Sequence, residues 1–290
     1  MNQNLKKLFE TETKKVDEWL GKLLPPESAE PVSIHKSMRY SMFAGGKRLR
    51  PVLCLLAHEI CGGEGDKAYP AACALEMMHT FSLIHDDLPC MDDDDFRRGK
   101  PTNHKVFGEA IAVLAGDALC IHAYGILGSY VGLPIVKEIS SALGTAGMIG
   151  GQVADIESEG TADVDAKTLE FIHIHKTEKL ITTSLRTGAI IAGADEAKLA
   201  AITKYGQGIG LAFQIVDDVL DLTSDTATLG KDVGSDLENN KATYPRLYGI
   251  DKSRAEAKRL VNEAKDALAL FGEKGAMLRE LADFIVERVN

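Results

Sequence analysis

The sequence predicts an all-α chain of about ten helices, folded as a single domain over residues 1–290. Apolar residues recur at the three-and-four spacing of one helix face along almost the whole chain. The segments between breaks rich in Gly, Pro and polar residues are roughly 12–25 residues long, which suits helices better than strands. No convincing run of alternating strand residues and no regular repeat interrupts this pattern.

The positions of the predicted helices follow from the breaks between them. The first helix carries apolar residues from Leu5 to Leu23 on one face, and PPESAEP (25–31) ends it. After CGGEGD (61–66), a long apolar helix is predicted over 68–88. The further breaks are GSYVGLP (128–134), SEGTADVD (158–165), AGAD (192–195), TSDTATLGKDVGSDLENNK (223–241) and GIDKS (249–253). The segment 110–127 is apolar on more than one face, so we expect it to be buried centrally or at a subunit interface.

The composition argues against several classes of protein. Of the 290 residues, 45% are hydrophobic, enough for a large core, and the net charge of −10 provides no basic surface for nucleic acid. The sequence contains no run of 18 uninterrupted apolar residues, so no membrane span is predicted. The first fifteen residues lack the apolar region of a signal peptide. The five cysteines are odd in number and form no CxxC pair, which is typical of reduced thiols in a cytoplasmic protein.

One acidic cluster lies inside an apolar segment, FQIVDDVLD (213–221). On a helix, Asp217 and Asp221 lie one above the other on the same face, and Asp218 is adjacent. Carboxylates that face each other between apolar walls repel, unless cations lie between them. The pattern therefore indicates a cation site rather than a solvated charge run.

A second acidic cluster lies in HDDLPCMDDDDFRR (85–98). Asp86 and Asp92 are six residues apart, which on an ideal helix separates their directions by about 120°. Pro89 lies between them and should interrupt the helix, so a helix end or a bulge could return Asp92 toward Asp86. Taken alone, the DDDD run (92–95) is best explained as a solvated charge run.

The ligand types restrict the cation. A site made only of carboxylates selects a hard ion, Mg²⁺ with Mn²⁺ as the alternative, rather than zinc or copper. Magnesium that is bound by few carboxylates normally has substrate phosphates in its coordination shell. The EF-hand pattern is absent from both clusters, so calcium buffering is a poor fit.

Basic residues suited to phosphate form blocks of their own. GGKRLRP (45–51) sets Lys47, Arg48 and Arg50 behind a glycine pair that lets the backbone approach a ligand, and it is not a P-loop. The other blocks contain Arg97 and Arg98, Lys176 and Thr177 in HKTEK (175–179), and Lys231 and Lys241. Each block alone is typical of an ordinary surface patch, and it is their occurrence together with two acidic clusters that indicates a phosphorylated substrate.

Three histidines accompany these motifs. His79 lies seven residues before Asp86, about two helical turns away on a similar face, although a lone helical histidine is more often structural. His173 and His175 are two residues apart and point to different helix faces, so we interpret both as structural rather than as a metal-binding pair.

The complete set of motifs resembles the trans-type polyprenyl diphosphate synthases, which include the farnesyl and geranylgeranyl diphosphate synthases. The matching pieces are GGKRLRP, HTFSLIHDDLPCMDDDDFRRGKPTNH, GDAL (116–119), GGQVADI (150–156), HKT, FQIVDDVLD and LGKDVGSDLENNKATYP (229–245). The resemblance implies an isoprenoid-synthase-type helical bundle around a central cavity, usually a homodimer. It also implies that an allylic diphosphate ionises with Mg²⁺, and that the carbocation attacks isopentenyl diphosphate before a proton is lost.

The resemblance also implies a role for each motif residue. Asp86, Asp92 and Asp217 are expected to be the main magnesium ligands, with Asp87, Asp218 and Asp221 as further ligands or supports. The residues expected to bind the allylic diphosphate are Arg97, Lys176, Lys231 and Lys241. Thr177 and Gln214 are expected to face the reacting carbons and stabilise the cation through their oxygens. The residues expected to bind isopentenyl diphosphate are Gly46, Lys47, Arg50, His79 and Arg98.

The resemblance further implies that the length of the product depends on Phe81 and Ser82. They lie five and four residues before Asp86, about 6–7.5 Å along a helix. A ring at position 81 should limit the product to three isoprene units, and the small Ser82 adds no second block. The main prediction is therefore farnesyl diphosphate (C15). Geranylgeranyl diphosphate (C20) is the alternative, because much of the sequence around the first cluster is close to that of the geranylgeranyl type. Simple core packing of Phe81 stays open.

Two other activities are compatible with parts of the pattern. A terpene cyclase shares the fold and the first aspartate motif, but its second site usually has Asn, Ser and Glu where this chain has DDVLD. A non-catalytic subunit of a heteromeric synthase typically loses one acidic cluster, and this chain has both.

Overall fold

The computed structural model describes residues 2–160, 165–223 and 243–287, and most of the described residues are helical. The prediction of an all-α chain of about ten helices is confirmed. The α-helices are α1 (Gln3–Leu23), α2 (Val32–Met42), α3 (Leu49–Ile60), α4 (Tyr69–Asp86), α5 (Asn103–Phe107), α6 (Glu109–Tyr130), α7 (Leu133–Leu143), α8 (Met148–Ser158), α9 (Ala166–Ile172), α10 (Lys179–Ile191), α11 (Glu196–Thr223), α12 (Tyr244–Tyr248), α13 (Ile250–Ala267) and α14 (Ala276–Glu287). A π-helical segment (His173–Glu178) joins α9 to α10, and a 3₁₀ helix (Ala269–Gly275) precedes α14.

Most predicted breaks coincide with helix ends in the structure. The breaks at 25–31, 61–66, 128–134 and 192–195 all lie at the ends of helices. The break at 158–165 begins at the end of α8 and ends before α9, and its residues 161–164 lie outside the described residues. The break predicted over 249–253 is shorter than expected, because α12 ends at Tyr248 and α13 already begins at Ile250. The break at 223–241 lies outside the described residues apart from Thr223, the last residue of α11.

A small hairpin is the only β-structure in the part of the chain that the structure describes. Strand β1 (Phe96–Arg97) pairs antiparallel with β2 (Lys100–Pro101). The turn residues Arg98 and Gly99 have φ angles of 55° and 73°. Positive φ at both central positions is typical of a type I′ turn, which matches the twist of a two-residue hairpin.

The structure divides into two compact units, and the prediction of a single domain stays a prediction. The N-terminal unit comprises Lys7–Val52 and Gly65–Val136, and the C-terminal unit comprises Met1–Lys6, Leu53–Glu64 and Lys137–Asn290.

The N-terminal unit is built around α4, which packs along α6. Thirteen of the eighteen residues of α4 are buried, and its many small residues allow neighbouring helices to approach closely on several sides. Pro70 lies in the first turn, where a missing N–H is tolerated. Gly116 of α6 lies against the ring of His85, and a Cβ at position 116 would overlap that ring.

Helix α6 is only half covered within the N-terminal unit. Its exposed face carries Leu114 and Ile121, which are 53% and 72% exposed. Among the described residues, α6 is also the one helix long and apolar enough to cross a membrane by length and composition, a test that core helices of soluble proteins pass equally. The segment was expected to be buried centrally or at a subunit interface, and in the single chain it is not buried centrally.

The C-terminal unit is built around α11, which packs against α13 and α10. Tyr205 of α11 is fully buried, and its hydroxyl donates to the backbone carbonyl of Leu278 at 2.6 Å. Gly188 of α10 touches the backbone of α3 at Cys54, where a Cβ would overlap. The Tyr205 hydrogen bond joins α14 to α11, the long helix that carries the acidic cluster of residues 217–221.

Candidate active site

The last turns of α11 carry the acidic cluster of the C-terminal unit. Asp218 and Asp221 are buried, 4% and 2% exposed, and Asp217 is partly exposed. Asp218 accepts hydrogen bonds from the Gln214 side-chain amide at 2.9 Å and from the Tyr244 backbone N–H at 2.8 Å. Of the apolar residues around these aspartates, Ile215, Val216, Val219 and Leu220 are buried, and Phe213 is partly exposed.

Lys176 and Thr177 lie in the π-helical segment rather than in a regular α-helix. A π turn holds one residue more than an α turn and is frequent at functional sites. The Thr177 hydroxyl donates to the side-chain oxygen of Gln214 at 2.7 Å. The structure therefore brings together the two residues that are predicted to stabilise the cation.

Lys176 is held by a carboxylate for which the sequence predicts no role. Its Nζ lies 2.5 Å from Oδ2 of Asp155, which is buried on α8 within the GGQVADI motif. Gly151 on the same helix lies against the backbone of Lys176, and a Cβ there would overlap it. An acidic residue inside an apolar segment is the signal that could have identified Asp155.

His173 was interpreted as structural, and the structure places it in the acidic cluster. Its Nε2 lies 3.2 Å from Oδ2 of Asp218, and the two side chains are 4% and 5% exposed. The Tyr244 ring stacks at 6.2 Å from the His173 ring. His175, in contrast, stacks on Phe171 with the ring centroids 3.8 Å apart.

In the N-terminal unit, α4 ends at the first aspartate of the other cluster. The chain then turns, so that the Asp92 amide donates to the Asp86 carbonyl at 2.8 Å and the Asp93 amide to the Leu88 carbonyl at 3.1 Å. Asp93 adopts φ 52° in this turn. The two main predicted ligands of this cluster thus belong to one closed turn.

Asp87 is buried and paired with Arg97 at 2.5 Å, and Arg97 also contacts Asp94 at 2.7 Å. Burial raises the pKa of Asp87 to about 6, and the positive charge of Arg97 acts in the opposite direction. Arg97 was predicted to bind a diphosphate, and in this structure it compensates two carboxylates.

Arg98 folds over the glycine pair of the GGKRLRP loop. Its guanidinium donates to the Gly45 carbonyl and lies 4.0 Å from Glu76. A Cβ at Gly46 would come within 2.5 Å of the guanidinium carbon, and Gly46 has φ 119°. Gly46 is therefore required both for the backbone conformation and for the position of Arg98.

The basic block of this loop separates into a buried and an exposed part. Arg48 is 2% exposed and pairs with Asp17 at 2.9 Å and with Glu76 at 3.1 Å, so it anchors the loop. Lys47 is exposed and Arg50 partly so, as residues that bind a substrate should be. Burial, followed by the charges of Arg50 and other arginines, holds the pKa of His79 well below its ordinary value, so His79 is neutral near pH 7.

Phe81 is buried on α4, and its ring meets the His85 ring edge-on at 5.8 Å. His85 Nε2 lies 3.0 Å from the Val113 carbonyl of α6. Ser82 is partly exposed, and its hydroxyl donates to the His79 carbonyl at 2.9 Å. Neither side chain contributes to the cleft of about 350 Å³, partly open to solvent, whose lining in this unit includes Thr80, Asp87, Arg97 and Arg98.

The aspartates suit magnesium by their chemistry. Among the described residues, no group of three or more His, Cys, Asp or Glu side chains forms a ready-made metal site. Magnesium needs only one or two protein carboxylates when phosphates and water complete its shell, so the donor set fits a metal that arrives with substrate. Lys231 and Lys241, predicted to bind the allylic diphosphate, lie outside the described residues.

Comparison with known proteins identifies the family. A model of the polyprenyl synthetase family matches residues 31–273, and the chain belongs to this family. It is a short-chain trans-prenyltransferase with the helical fold of the isoprenyl synthases. The terpene cyclase and the non-catalytic subunit are therefore not supported.

Three similar proteins illustrate the relationship. The chain is 52% identical to a chloroplastic geranylgeranyl pyrophosphate synthase of Catharanthus roseus over 270 residues, 90% of this chain and 75% of that protein. It is 47% identical to a geranylgeranyl diphosphate synthase of Cyanophora paradoxa over 282 residues, 95% and 93% of the two chains. A crystal structure of an FPP/GFPP synthase from Zymomonas mobilis superposes with a TM-score of 0.88 at 36% identity, covering 99% of this chain and 100% of that chain.

Proposed function

We propose that this prenyltransferase makes geranylgeranyl diphosphate (C20) by repeated addition of isopentenyl diphosphate to an allylic diphosphate. The observation that carries the proposal is the similarity to proteins named geranylgeranyl diphosphate synthases, which extends over nine-tenths of the chain at 47–52% identity. The main prediction from the sequence was farnesyl diphosphate, and the relatives favour the alternative.

The position of Phe81 is compatible with the longer product. Its ring packs edge-on against His85, and α6 supports His85 through the Val113 carbonyl and the space left by Gly116. A ring held in this way acts as part of the helix packing. We therefore assign Phe81 to packing rather than to the end wall for the product.

We propose that the aspartates of both clusters bind magnesium, with Asp86, Asp92 and Asp217 as the main ligands and Asp87, Asp218 and Asp221 as supports. Bound magnesium would neutralise the negative charge that develops on the departing diphosphate. The buried Asp87 and Asp218 each have protein partners of their own, which suits supporting roles better than direct ligation.

Fixed cations complete the proposed binding of the allylic diphosphate. Lys176 and Arg97, together with Lys231 and Lys241, would bind its oxygens, since preoriented charges stabilise a leaving anion at little reorganisation cost. Asp155 holds Lys176 in place through the 2.5 Å ion pair. The oxygens of Thr177 and Gln214 would face the allylic cation, which carries no hydrogen-bond donor of its own.

The second substrate would bind at the glycine loop. Gly46, Lys47, Arg50, His79 and Arg98 form the proposed site for isopentenyl diphosphate. The neutral His79 adds a hydrogen bond without a further positive charge, and Gly46 leaves room for the Arg98 guanidinium.

We also propose that the protein is a homodimer formed through α6. The exposed side chains of this helix recur at helical spacing and are mostly apolar, including Val113, Leu114 and Ile121. An apolar stripe of this kind, interrupted here by the exposed Asp117, is typical of a subunit interface. The variant Ile121→Glu should shift the sedimentation behaviour from dimer to monomer, and a wild-type monomer would refute the assignment.

The five cysteines, all free in the structure, support a cytoplasmic location, which we propose as well.

The product assay tests the central proposal. The protein is incubated with dimethylallyl and isopentenyl diphosphates and Mg²⁺, and the dephosphorylated alcohols are separated by chain length. A main C20 alcohol is expected. A main C15 alcohol would refute the proposed product length, and no condensation would refute the proposed reaction.

A further inference from the structure

We propose that His173 is a positioning residue for prenyl transfer, which through Asp218 and Gln214 fixes the orientation of the Thr177 hydroxyl. The inference rests on the proposed function, because Thr177 is assigned there to the reacting carbons. It concerns a residue that the motif pattern alone presents as structural.

The argument starts from the direction of the hydrogen bonds. The Gln214 amide nitrogen donates to Oδ1 of Asp218 at 2.9 Å. A carboxylate only accepts, so the amide nitrogen must face Asp218 and the amide oxygen must face the other way. That oxygen accepts the Thr177 hydroxyl hydrogen at 2.7 Å. The Thr177 hydrogen is therefore directed at Gln214, and the oxygen lone pairs remain for an electron-poor carbon.

This arrangement depends on the orientation of the Asp218 carboxylate. Its other oxygen, Oδ2, accepts from the Tyr244 backbone N–H at 2.8 Å and lies 3.2 Å from Nε2 of His173. Because the carboxylate only accepts, this contact is favourable only with a hydrogen on Nε2 of His173. Both side chains are nearly inaccessible to solvent, so water cannot readily replace that donor.

Packing holds the imidazole in the orientation that this contact needs. The Tyr244 ring lies nearly parallel to the His173 ring, with an interplanar angle of 22°. Tyr244 thus contacts the pair twice, through its backbone amide on Asp218 and through its ring on His173. The π-helical segment carries His173 and Thr177 together, so the network closes on the same stretch of chain.

His175 provides an internal control. It lies two residues away in the same segment, is partly exposed, stacks on Phe171 and contacts the Phe171 carbonyl at 2.8 Å. Those contacts join it to its own helix. A general effect of replacing a histidine in this segment would therefore appear in both positions.

The first experiment compares His173→Leu, His173→Gln and His175→Leu at saturating Mg²⁺. We expect His173→Leu to lower kcat about 10–100-fold, the range for residues that orient a functional group, and to change the KM for isopentenyl diphosphate less than about twofold. His173→Gln retains a side-chain N–H and should recover most of the loss, while His175→Leu should stay within about twofold of wild type. Circular dichroism and melting temperatures establish that each variant folds.

The second experiment is a double-mutant cycle with Thr177→Val. If His173 acts through Thr177, then His173→Leu should cost less than about threefold in the Thr177→Val background. Equal losses in both backgrounds would overturn the inference, and so would a loss that excess Mg²⁺ repairs. An active wild type with a normal His173→Leu variant would refute only this inference, whereas an inactive wild type would refute the proposed function itself.

Discussion

The backbone amide of Asp92 donates to the backbone carbonyl of Asp86 across 2.8 Å. This hydrogen bond closes the turn that follows α4, in spite of the six-residue separation that would place the two side chains about 120° apart on a continuous helix. The interruption at Pro89 is thus part of how the first acidic cluster is assembled.

The first prediction concerns the aspartates. Asp86→Ala and Asp217→Ala should each lower kcat by at least about a hundredfold with folding intact, because the leaving diphosphate loses its charge compensation. Asp95→Ala is the matched control, since Asp95 is exposed and paired with Lys105 at the surface. Steady-state kinetics with Mg²⁺ titration measures the effect. Activity near wild type in the Asp86 or Asp217 variant would exclude that residue as a main ligand.

The second prediction concerns product length. Phe81→Met conserves volume and should leave the C20 product dominant, since we assign the ring to packing against His85. Ser82→Phe should shift the products toward C15, because it adds a ring at the neighbouring, partly exposed position. Chromatography of the alcohols gives the answer. A product that lengthens in Phe81→Met would show that Phe81 is the end wall after all.

The third prediction concerns the glycine pair. Gly46→Ala should raise the KM for isopentenyl diphosphate about tenfold, because the added Cβ displaces the Arg98 guanidinium. Gly45 also has a positive φ, 107°, but open space around its Cβ position, so Gly45→Ala carries the backbone strain without the collision. Both variants should lose about 1 kcal/mol of stability. Equal KM values in the two variants would contradict the role of Gly46.

The fourth prediction concerns pH. The pKa of His79 is lowered in the folded state, mainly by burial, so the unfolded chain binds the proton more readily below its ordinary pKa of about 6.5. Above that pH, His79 does not change the free energy of unfolding. Below it, the free energy of unfolding decreases by at most about 1.4 kcal/mol per pH unit. His79→Gln should reduce the pH dependence of stability between pH 7.5 and 5.5 in urea denaturation. An unchanged dependence would show that His79 is not the group responsible.

The helices could be predicted because their signals are local. Apolar spacing and breaks rich in Gly, Pro and polar residues act over a few residues, and α4 and α6 follow them closely. The hairpin at Phe96–Pro101 could not be predicted in this way, because strands of two residues have no period. The π-helical segment could not be predicted either, because no residue type or spacing in the sequence marks its extra residue.

The candidate site was predictable as far as its motifs are contiguous. The acidic clusters and the GGKRLRP loop are visible as residue types, and their assigned roles stay predictions. Arg48 has the same charge as its neighbours, and only its burial against Glu76 separates it from them. His173 and Asp155 find their partners on other helices, at separations for which a single sequence carries no signal.

The π-helical segment His173–Glu178 changes the direction of the side chains that precede it relative to those of α10. The chain winds without a stop from α9 through this segment into α10, over Ala166–Ile191. The extra residue of a π turn offsets the side chains on its two sides by about 100° relative to a uniform α-helix. Removal of one residue here would restore uniform winding and rotate His173 and Lys176 relative to α10. The extra residue thus allows His173 and Lys176 to contact Asp218 and Asp155, while the side chains of α10 stay packed in the core.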